Sequence, residues 1–253
     1  MEISFIDSLN GILSILAVTT FAIIGLNIIA RYFQYRQKEF LYMGISWIGI
    51  MCPWYPSAIS FLMVRAGGIG LPLVLYIFIG TILIPILLLI WLLALTNLIF
   101  VKRKKSILLS EIIIGIFFEL VLLFLLFTRP SLLGELKTPV DIQYKSILSL
   151  YILHVVLVLW LTGTLLGKNS LKSKDPELKL KGRLIIAGIS LWSLCGVLDS
   201  AISLEVISLT LIRILLILGG ILFYGGFMMP KWTKKIFLNQ KLAELESLRS
   251  ESR

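Results

Sequence analysis

The chain has 253 residues, of which 58% are hydrophobic and only 15% are charged, and its mean hydropathy is +0.98. A water-soluble domain of this length could not bury so much apolar surface, so the composition excludes that class. The net charge of +10 would suit a nucleic-acid partner. The basic residues, however, lie in short segments between apolar runs, which argues against a nucleic-acid-binding domain.

Seven apolar runs are long enough to cross a bilayer as helices, since each crossing needs about 20 residues. The runs are continuous rather than alternating, which favours helices over barrel strands. These spans one to seven lie at about 9–30, 41–63, 70–98, 107–127, 147–167, 183–203 and 206–229. The sequence therefore predicts an all-α, polytopic membrane protein with a seven-transmembrane-helix bundle over residues 1–230 and a tail over residues 231–253.

The charges between the spans predict the orientation of the bundle. Nineteen of the 24 Lys and Arg residues follow spans one, three, five and seven, including the cluster Lys102, Arg103, Lys104 and Lys105. Cytoplasmic loops carry this excess, so we expect the N-terminus outside and the C-terminus in the cytoplasm of a cell membrane. The clusters are expected to meet anionic lipid headgroups. The acidic N-terminus is unlike a cleaved signal peptide, which predicts that span one is retained.

Span two contains the motif Cys52-Pro53-Trp54-Tyr55-Pro56. Proline removes a backbone donor, so Pro53 and Pro56 predict a kink or break of the helix in the outer half of the membrane. The break could serve a binding site or hinge, or it could be a tolerated bend. Cys52 and Cys195 are expected to act as small buried hydrophobic residues rather than as a disulfide.

Span four carries two carboxylates within its apolar run, Glu111 and Glu119, with Gly115 midway between them. Carboxylates in hydrocarbon are unfavourable and need partners. The helical rise places Glu119 roughly 18 Å above the cytoplasmic end of the span. Glu111 lies near that end and is expected to face the basic loop. Span four is thus predicted to be the central helix of the bundle.

Spans two and six share a short pattern of residues in the same order. Both contain Gly-Ile-Ser followed by Trp, then Cys, then Ser-Ala-Ile-Ser, about 143 residues apart. The match predicts a 3+1+3 pseudo-repeat, in which spans one to three correspond to spans five to seven and span four is the linker.

Four ionisable residues on four spans are predicted to share the outer half of the bundle: Glu119, His154, Asp199 and Arg213. We expect Glu119 to pair with Arg213, and His154 to titrate near neutral pH. One interpretation is an outward-facing ligand pocket, rimmed by Trp54, Tyr55, Tyr76 and Tyr151. The other is an ion pair that only stabilises the bundle.

The tail carries apolar residues at helical spacing, namely Leu238, Leu242, Leu245 and Leu248. The pattern predicts a short amphipathic helix. Such a helix could lie on the inner leaflet or bind a cytoplasmic protein partner.

The predicted topology resembles the layout of microbial rhodopsins and G-protein-coupled receptors. A retinal pigment needs a lysine in its last helix, and span seven offers only Arg213, so retinal is not expected. A single histidine also argues against a zinc or bis-histidine haem site, and we expect no metal or other cofactor. The sequences RYFQYRQKEFL and CPWYPSAISFL, within residues 31–63, resemble archaeal seven-helix membrane proteins, a resemblance that implies no activity.

No motif indicates a reaction, so the chain is predicted not to be an enzyme. We expect a sensor or receptor-like protein whose outward polar pocket takes a small ligand or a proton. Signalling would pass through the basic loops and the tail. The alternatives are a small-molecule or proton-coupled transporter and a non-catalytic scaffold in a membrane complex.

Overall fold

The computed structural model describes residues 3–201 and 205–237. Within them, seven helical segments are long and apolar enough to cross a membrane, which confirms the predicted all-α seven-helix bundle. In chain order the elements are α1 (Phe5–Tyr35), α2 (Lys38–Gly49), α3 (Tyr55–Arg65), α4 (Leu73–Thr81), α5 (Ile84–Leu98), α6 (Lys104–Thr128), strands β1 (Gly134–Thr138) and β2 (Asp141–Tyr144), α7 (Ser146–Leu171), α8 (Pro176–Ala201) and α9 (Val206–Met228).

Two of the spans are broken helices. Span two consists of α2 and α3, joined through a 3₁₀ turn at Cys52–Trp54, and Pro56 lies in the first turn of α3. The break therefore lies where Pro53 and Pro56 predict it. Span three consists of α4 and α5, and Pro85 lies in the first turn of α5. Proline is tolerated there because the first turn of a helix needs no backbone donor.

Six spans form a closed ring, and α6 lies outside it. Around the ring, α1 packs on α2 and α3, α2 on α5, α5 on α7, α7 on α8, α8 on α9, and α9 on α1. Helix α6 packs mainly along α5. Only 22% of its most apolar stretch is buried inside the protein, the lowest share among the seven spans. The prediction that span four is the central helix is therefore wrong. Because α6 is apolar nearly all round, most of its surface can face lipid.

The two halves of the ring have equivalent neighbours. If spans one, two and three are replaced by spans five, six and seven, and the reverse, every pair of adjacent spans in the ring is still an adjacent pair. In each half, the first two spans also meet at a close glycine contact. A Cβ atom on Gly44 would lie 2.6 Å from the carbonyl oxygen of Gly25, and a Cβ atom on Gly167 would lie 2.8 Å from that of Gly182. The packing thus agrees with a 3+1+3 division. At this contact Gly182 takes the place of Gly44, whereas the sequence pattern pairs Gly44 with Gly188.

Stacked aromatic side chains fill the centre of the ring of six spans. Trp47 stacks between Phe21 and Phe223, with ring centroids 5.4 and 4.1 Å away. Trp91 lies 5.9 Å from Phe223, and all four side chains are fully buried. Burial of large rings stabilises the bundle through dispersion and specific stacking geometry.

A β-hairpin covers one end of the bundle, which we call the hairpin end; the opposite end is the tail end. Strands β1 and β2 pair antiparallel within the segment after α6. The turn between them docks on three helices, since Asn10 Nδ2 and Tyr76 Oη both donate to the Val140 carbonyl oxygen, at 3.2 and 3.1 Å, and Ser60 Oγ donates to the Pro139 carbonyl oxygen. These bonds make the hairpin part of the folded bundle.

At the tail end, residues 231–237 are helical, and Lys234 Nζ lies 2.7 Å from Glu177 Oε1 at the start of α8. The tail is therefore tied to the bundle at its first turns. The leucines that predict an amphipathic helix, Leu238, Leu242, Leu245 and Leu248, lie outside the described residues.

Candidate functional site

The four ionisable residues predicted to converge do not meet: two lie in one cluster, one lies in a second cluster, and one lies in neither. Arg213 and Asp199 lie together at the hairpin end, whereas His154 lies beside Glu111 near the middle of the bundle. Glu119 lies in a groove on the far side of α5 from the centre of the ring. The predicted pair of Glu119 and Arg213 is therefore wrong, because helical rise gives the depth of a residue but not the direction in which it points.

Arg213 is the centre of the first cluster and is only 2% exposed. Its Nη2 atom lies 3.3 Å from Asp199 Oδ2 and donates to Asn10 Oδ1 at 3.1 Å. The guanidinium carbon lies 5.5 Å from the centre of the Trp54 ring, within cation–π range. Trp54 Nε1 donates to Asp199 Oδ2 at 2.8 Å. The break at Pro53 thus turns Trp54 toward the ion pair.

Part of this buried cluster has no hydrogen-bond partner within the described part of the chain. The unpartnered atoms are Arg213 Nε and Nη1, and Asp199 Oδ1. Buried polar atoms in proteins are nearly always satisfied, and an unsatisfied charged group is especially unfavourable. The cluster therefore retains two donors and one acceptor for a further polar group.

A cavity of about 930 Å³ begins at this cluster and runs into the bundle. Its polar end is lined by Arg213, Asp199, Trp54, Ser57, Tyr76 and Asp141. Its far end is lined by Trp91, Leu88 and Leu159, and Leu159 lies roughly 20 Å along α7 from the start of that helix. The cavity reaches the surface along α7, where Leu150 and Leu153 are exposed.

The hairpin supplies further charge at the mouth of the cavity. Asp141 and Lys137 both line it, with Lys137 exposed at the rim. Burial raises the pKa of Asp141 above its usual range; the nearby Asp199 adds to this effect and Arg213 opposes it. Two acids and two bases thus surround the polar end. A volume of this size lined mostly by apolar side chains is typical of small-molecule sites.

The second cluster joins α6 to α7. His154 Nε2 lies 3.4 and 3.3 Å from the two carboxylate oxygens of Glu111, which is 5% exposed. Tyr151, one turn before His154, stacks on Phe118 of α6 at 3.5 Å between ring centroids. Glu111 therefore has an imidazole partner inside the membrane, and the prediction that it faces the basic loop is wrong.

Besides Glu119 and His154, two of the predicted rim residues do not line the large cavity. Tyr55 Oη donates to the backbone oxygen of Ile48 at 2.8 Å, which bridges the break in span two. Tyr151 belongs to the second cluster. Trp54 and Tyr76 do line the cavity, as the pocket interpretation expects.

The basic cluster after α5 is only partly exposed. Lys102, Arg103 and Lys105 face solvent, whereas Lys104 Nζ donates to Asn97 Oδ1 at 2.7 Å. Asn97 Nδ2 in turn donates to Glu39 at 3.1 Å. Lys104 thus helps to join spans two, three and four at the tail end.

Two residues of the site are missing from the sequence-based prediction. Asn10 is an amide near the start of an apolar span, a signal that could have identified it as the acceptor for Arg213. Asp141 lies in the hairpin, where Leu136 and Ile142 alternate with polar residues in the manner of short strands.

No protein-family model, curated protein or solved structure matches this chain. Its class therefore follows from the fold and the apolar spans alone: it is a multi-pass, seven-helix membrane protein. Its most developed site is the cavity at Arg213 and Asp199.

Proposed function

We propose that this protein is a receptor-like membrane protein that binds an amphipathic small molecule in the large cavity. The apolar body of the ligand lies along α7 between Leu88, Trp91 and Leu159, and its polar head meets Arg213 and Asp199. The unpartnered atoms of this buried ion pair are the observation that carries the proposal.

The chemistry of the polar end defines the head group. Arg213 offers two donors and Asp199 one acceptor, so the head needs both an acceptor and a donor. Lys137 and Asp141 add one charge of each sign beside this pair, which disfavours a head with a net charge. A small neutral head that carries hydroxyl or amide groups satisfies both requirements.

The packing below the cavity favours a receptor over a carrier. Trp91 closes the deep end and donates through Nε1 to Thr162 Oγ1 at 2.9 Å. From Trp91 an aromatic column runs through Phe223, Phe227 and Phe40, with successive ring centroids 5.9, 5.9 and 6.0 Å apart. The column fills the path toward the tail end. A ligand that shifts Trp91 would therefore move rings that reach the first turn of α2 and the last turn of α9.

We also propose that the hairpin end faces the outside of a cell membrane and that the tail end faces the cytoplasm. The excess of Lys and Arg at the tail end supports this orientation. In this orientation Lys102, Arg103 and Lys105 meet anionic headgroups, and the tail is available to a cytoplasmic partner.

Cysteine labelling in intact cells tests the orientation. The two native cysteines, Cys52 and Cys195, are buried and should give little background. We expect a membrane-impermeant maleimide to label Lys137→Cys directly and Lys174→Cys only after permeabilisation, because these two exposed positions lie at opposite ends of the bundle. The reverse pattern would refute the proposed orientation.

Binding is tested by a substitution that fills the cavity. A Cβ atom added at Gly196, which lines the cavity, meets only Trp54, at 3.9 Å. Gly196→Phe should therefore occupy the ligand volume, whereas Gly196→Ala should leave it open. The probe is monooleoylglycerol with a brominated chain, which quenches the fluorescence of nearby tryptophans such as Trp54, Trp91 and Trp192.

We expect saturable quenching in the wild type and in Gly196→Ala, and at least about tenfold weaker binding in Gly196→Phe, equivalent to about 1.4 kcal/mol. The same chain carried by a carboxylate or an amine should bind more weakly than the glyceride. Equal quenching of wild type and Gly196→Phe would mean that the probe acts from the surrounding lipid, and the proposal would fail.

A transporter is the second candidate, and the equivalent packing of the two halves of the ring favours it. In proteoliposomes a transporter would move the glyceride between compartments, whereas a receptor would bind it without flux.

A further inference from the structure

A second, smaller cavity of about 300 Å³ lies between α6 and the break in span three, on the opposite face of α5 from the ring centre. Glu119 lines this groove. Both of its carboxylate oxygens are buried, and neither has a hydrogen-bond partner within residues 3–201 and 205–237. This groove is separate from the ligand cavity, with which it shares no lining residue.

The surroundings of Glu119 are almost entirely hydrocarbon. The α4–α5 side contributes Ile82, Leu83, Pro85, Ile86 and Leu89, and α6 contributes Ile112, Gly115, Ile116 and Glu111. On α7, Tyr151 is close enough for the charge of Glu119 to act on it, and His154 is bonded to Glu111. Within the described residues, no lysine or arginine lines the groove, so Glu119 has no cationic partner there.

A carboxylate held in hydrocarbon without a partner is strongly unfavourable, and it becomes neutral by taking up a proton or a cation. A metal cation would need several oxygen ligands, and no group of three His, Cys, Asp or Glu side chains within the described residues could hold one. From this geometry we infer that Glu119 is a proton-binding carboxyl group within the membrane, accessible from the lipid through the groove.

Glu111 is a matched comparison on the same helix. It lies eight residues before Glu119, about 12 Å along the axis, and it is also buried. Unlike Glu119, it has the imidazole of His154 as a partner. Because Glu111 has a partner and Glu119 has none, the two carboxyl groups should differ in their reaction with reagents that need the neutral acid.

Dicyclohexylcarbodiimide is such a reagent and partitions into lipid. The carboxylic acid gives its proton to a carbodiimide nitrogen, and the carboxylate oxygen then bonds to the central carbon to form an O-acylisourea. Transfer of the acyl group to the adjacent nitrogen gives a stable N-acylurea that retains every atom of the reagent. The modification therefore marks a carboxyl group that is both protonated and reachable from hydrocarbon.

The test labels the full-length protein in nanodiscs over a range of about pH 5 to 9 and maps the adduct by peptide mass spectrometry. We expect one adduct, on Glu119, whose rate of formation falls as the pH rises and is unaffected by sodium or potassium. Glu119→Gln should abolish labelling, whereas Glu111→Gln should leave the Glu119 adduct in place. Glu135 is the control in water, since it is exposed beside Lys145 and should react only with a water-soluble carbodiimide.

Several results would overturn the inference. These are an unlabelled Glu119 at every pH, a labelling rate that does not change with pH, and protection by a monovalent cation. If Glu119→Gln fails to fold, peptide mapping of the wild type still decides between these outcomes.

Discussion

Arg213→Met should lower the free energy of unfolding by about 3–5 kcal/mol, the range found when one partner of a buried ion pair is removed. Asp199 would lose its guanidinium partner although its side chain is only 13% exposed. Asn10 would lose the donor to its side-chain oxygen, which lies 3.1 Å from Nη2. The Trp54 ring would lose the cation that lies against it. Three helices and the break in span two are therefore affected together.

The double variant Arg213→Met with Asp199→Asn is the control, because it removes both charges and leaves side chains of similar size. We expect it to be more stable than Arg213→Met alone, with a favourable coupling of at least about 1 kcal/mol in the double-mutant cycle. Unfolding is followed by circular dichroism in detergent as a function of denaturant. Strictly additive losses would show that Arg213 and Asp199 do not act as a pair.

Gly219→Ala should lower the free energy of unfolding by about 1–3 kcal/mol, as overpacking does in tightly packed interiors. A Cβ atom at this position would lie 2.8 Å from the backbone nitrogen of Trp192 and 2.9 Å from the backbone oxygen of Gly188. Both atoms belong to the backbone of α8 and cannot rotate away. The substitution therefore forces α8 and α9 apart at a close backbone contact, which small residues make possible in membranes.

Gly196→Ala is the matched control for this loss, since it makes the same chemical change in a neighbouring part of the same helix pair. Its Cβ atom meets only Trp54, at 3.9 Å. We expect it to be neutral or to stabilise the protein by up to about 1 kcal/mol, because alanine favours the helix over glycine. Thermal unfolding in one detergent compares the two variants. Equal losses would show that the loss in Gly219→Ala does not come from its close backbone contact with α8.

The spans could be predicted from the sequence because hydropathy reports directly on lipid exposure. The break at Pro53 and Pro56 could be predicted because proline lacks a backbone donor. The partners of the charged residues could not, because two residues at similar depth meet only if their helices are adjacent and rotated toward each other. Glu119 shows this limit: its depth suits the predicted site, but α6 lies outside the ring. Arg213 instead finds Asp199 and Asn10 on the two helices beside its own.

Helix α6 sets the direction in which the last three spans cross the membrane, although it lies outside the ring. A unit of three helices ends on the side of the membrane opposite to its start, so a second copy joined directly to it would be inserted upside down. Helix α6 returns the chain across the membrane before α7 begins. The first three spans and the last three therefore run in the same directions around an axis along the membrane normal. Helix α6 therefore gives the two halves the same orientation in the membrane, although the ring itself is formed by the other six spans.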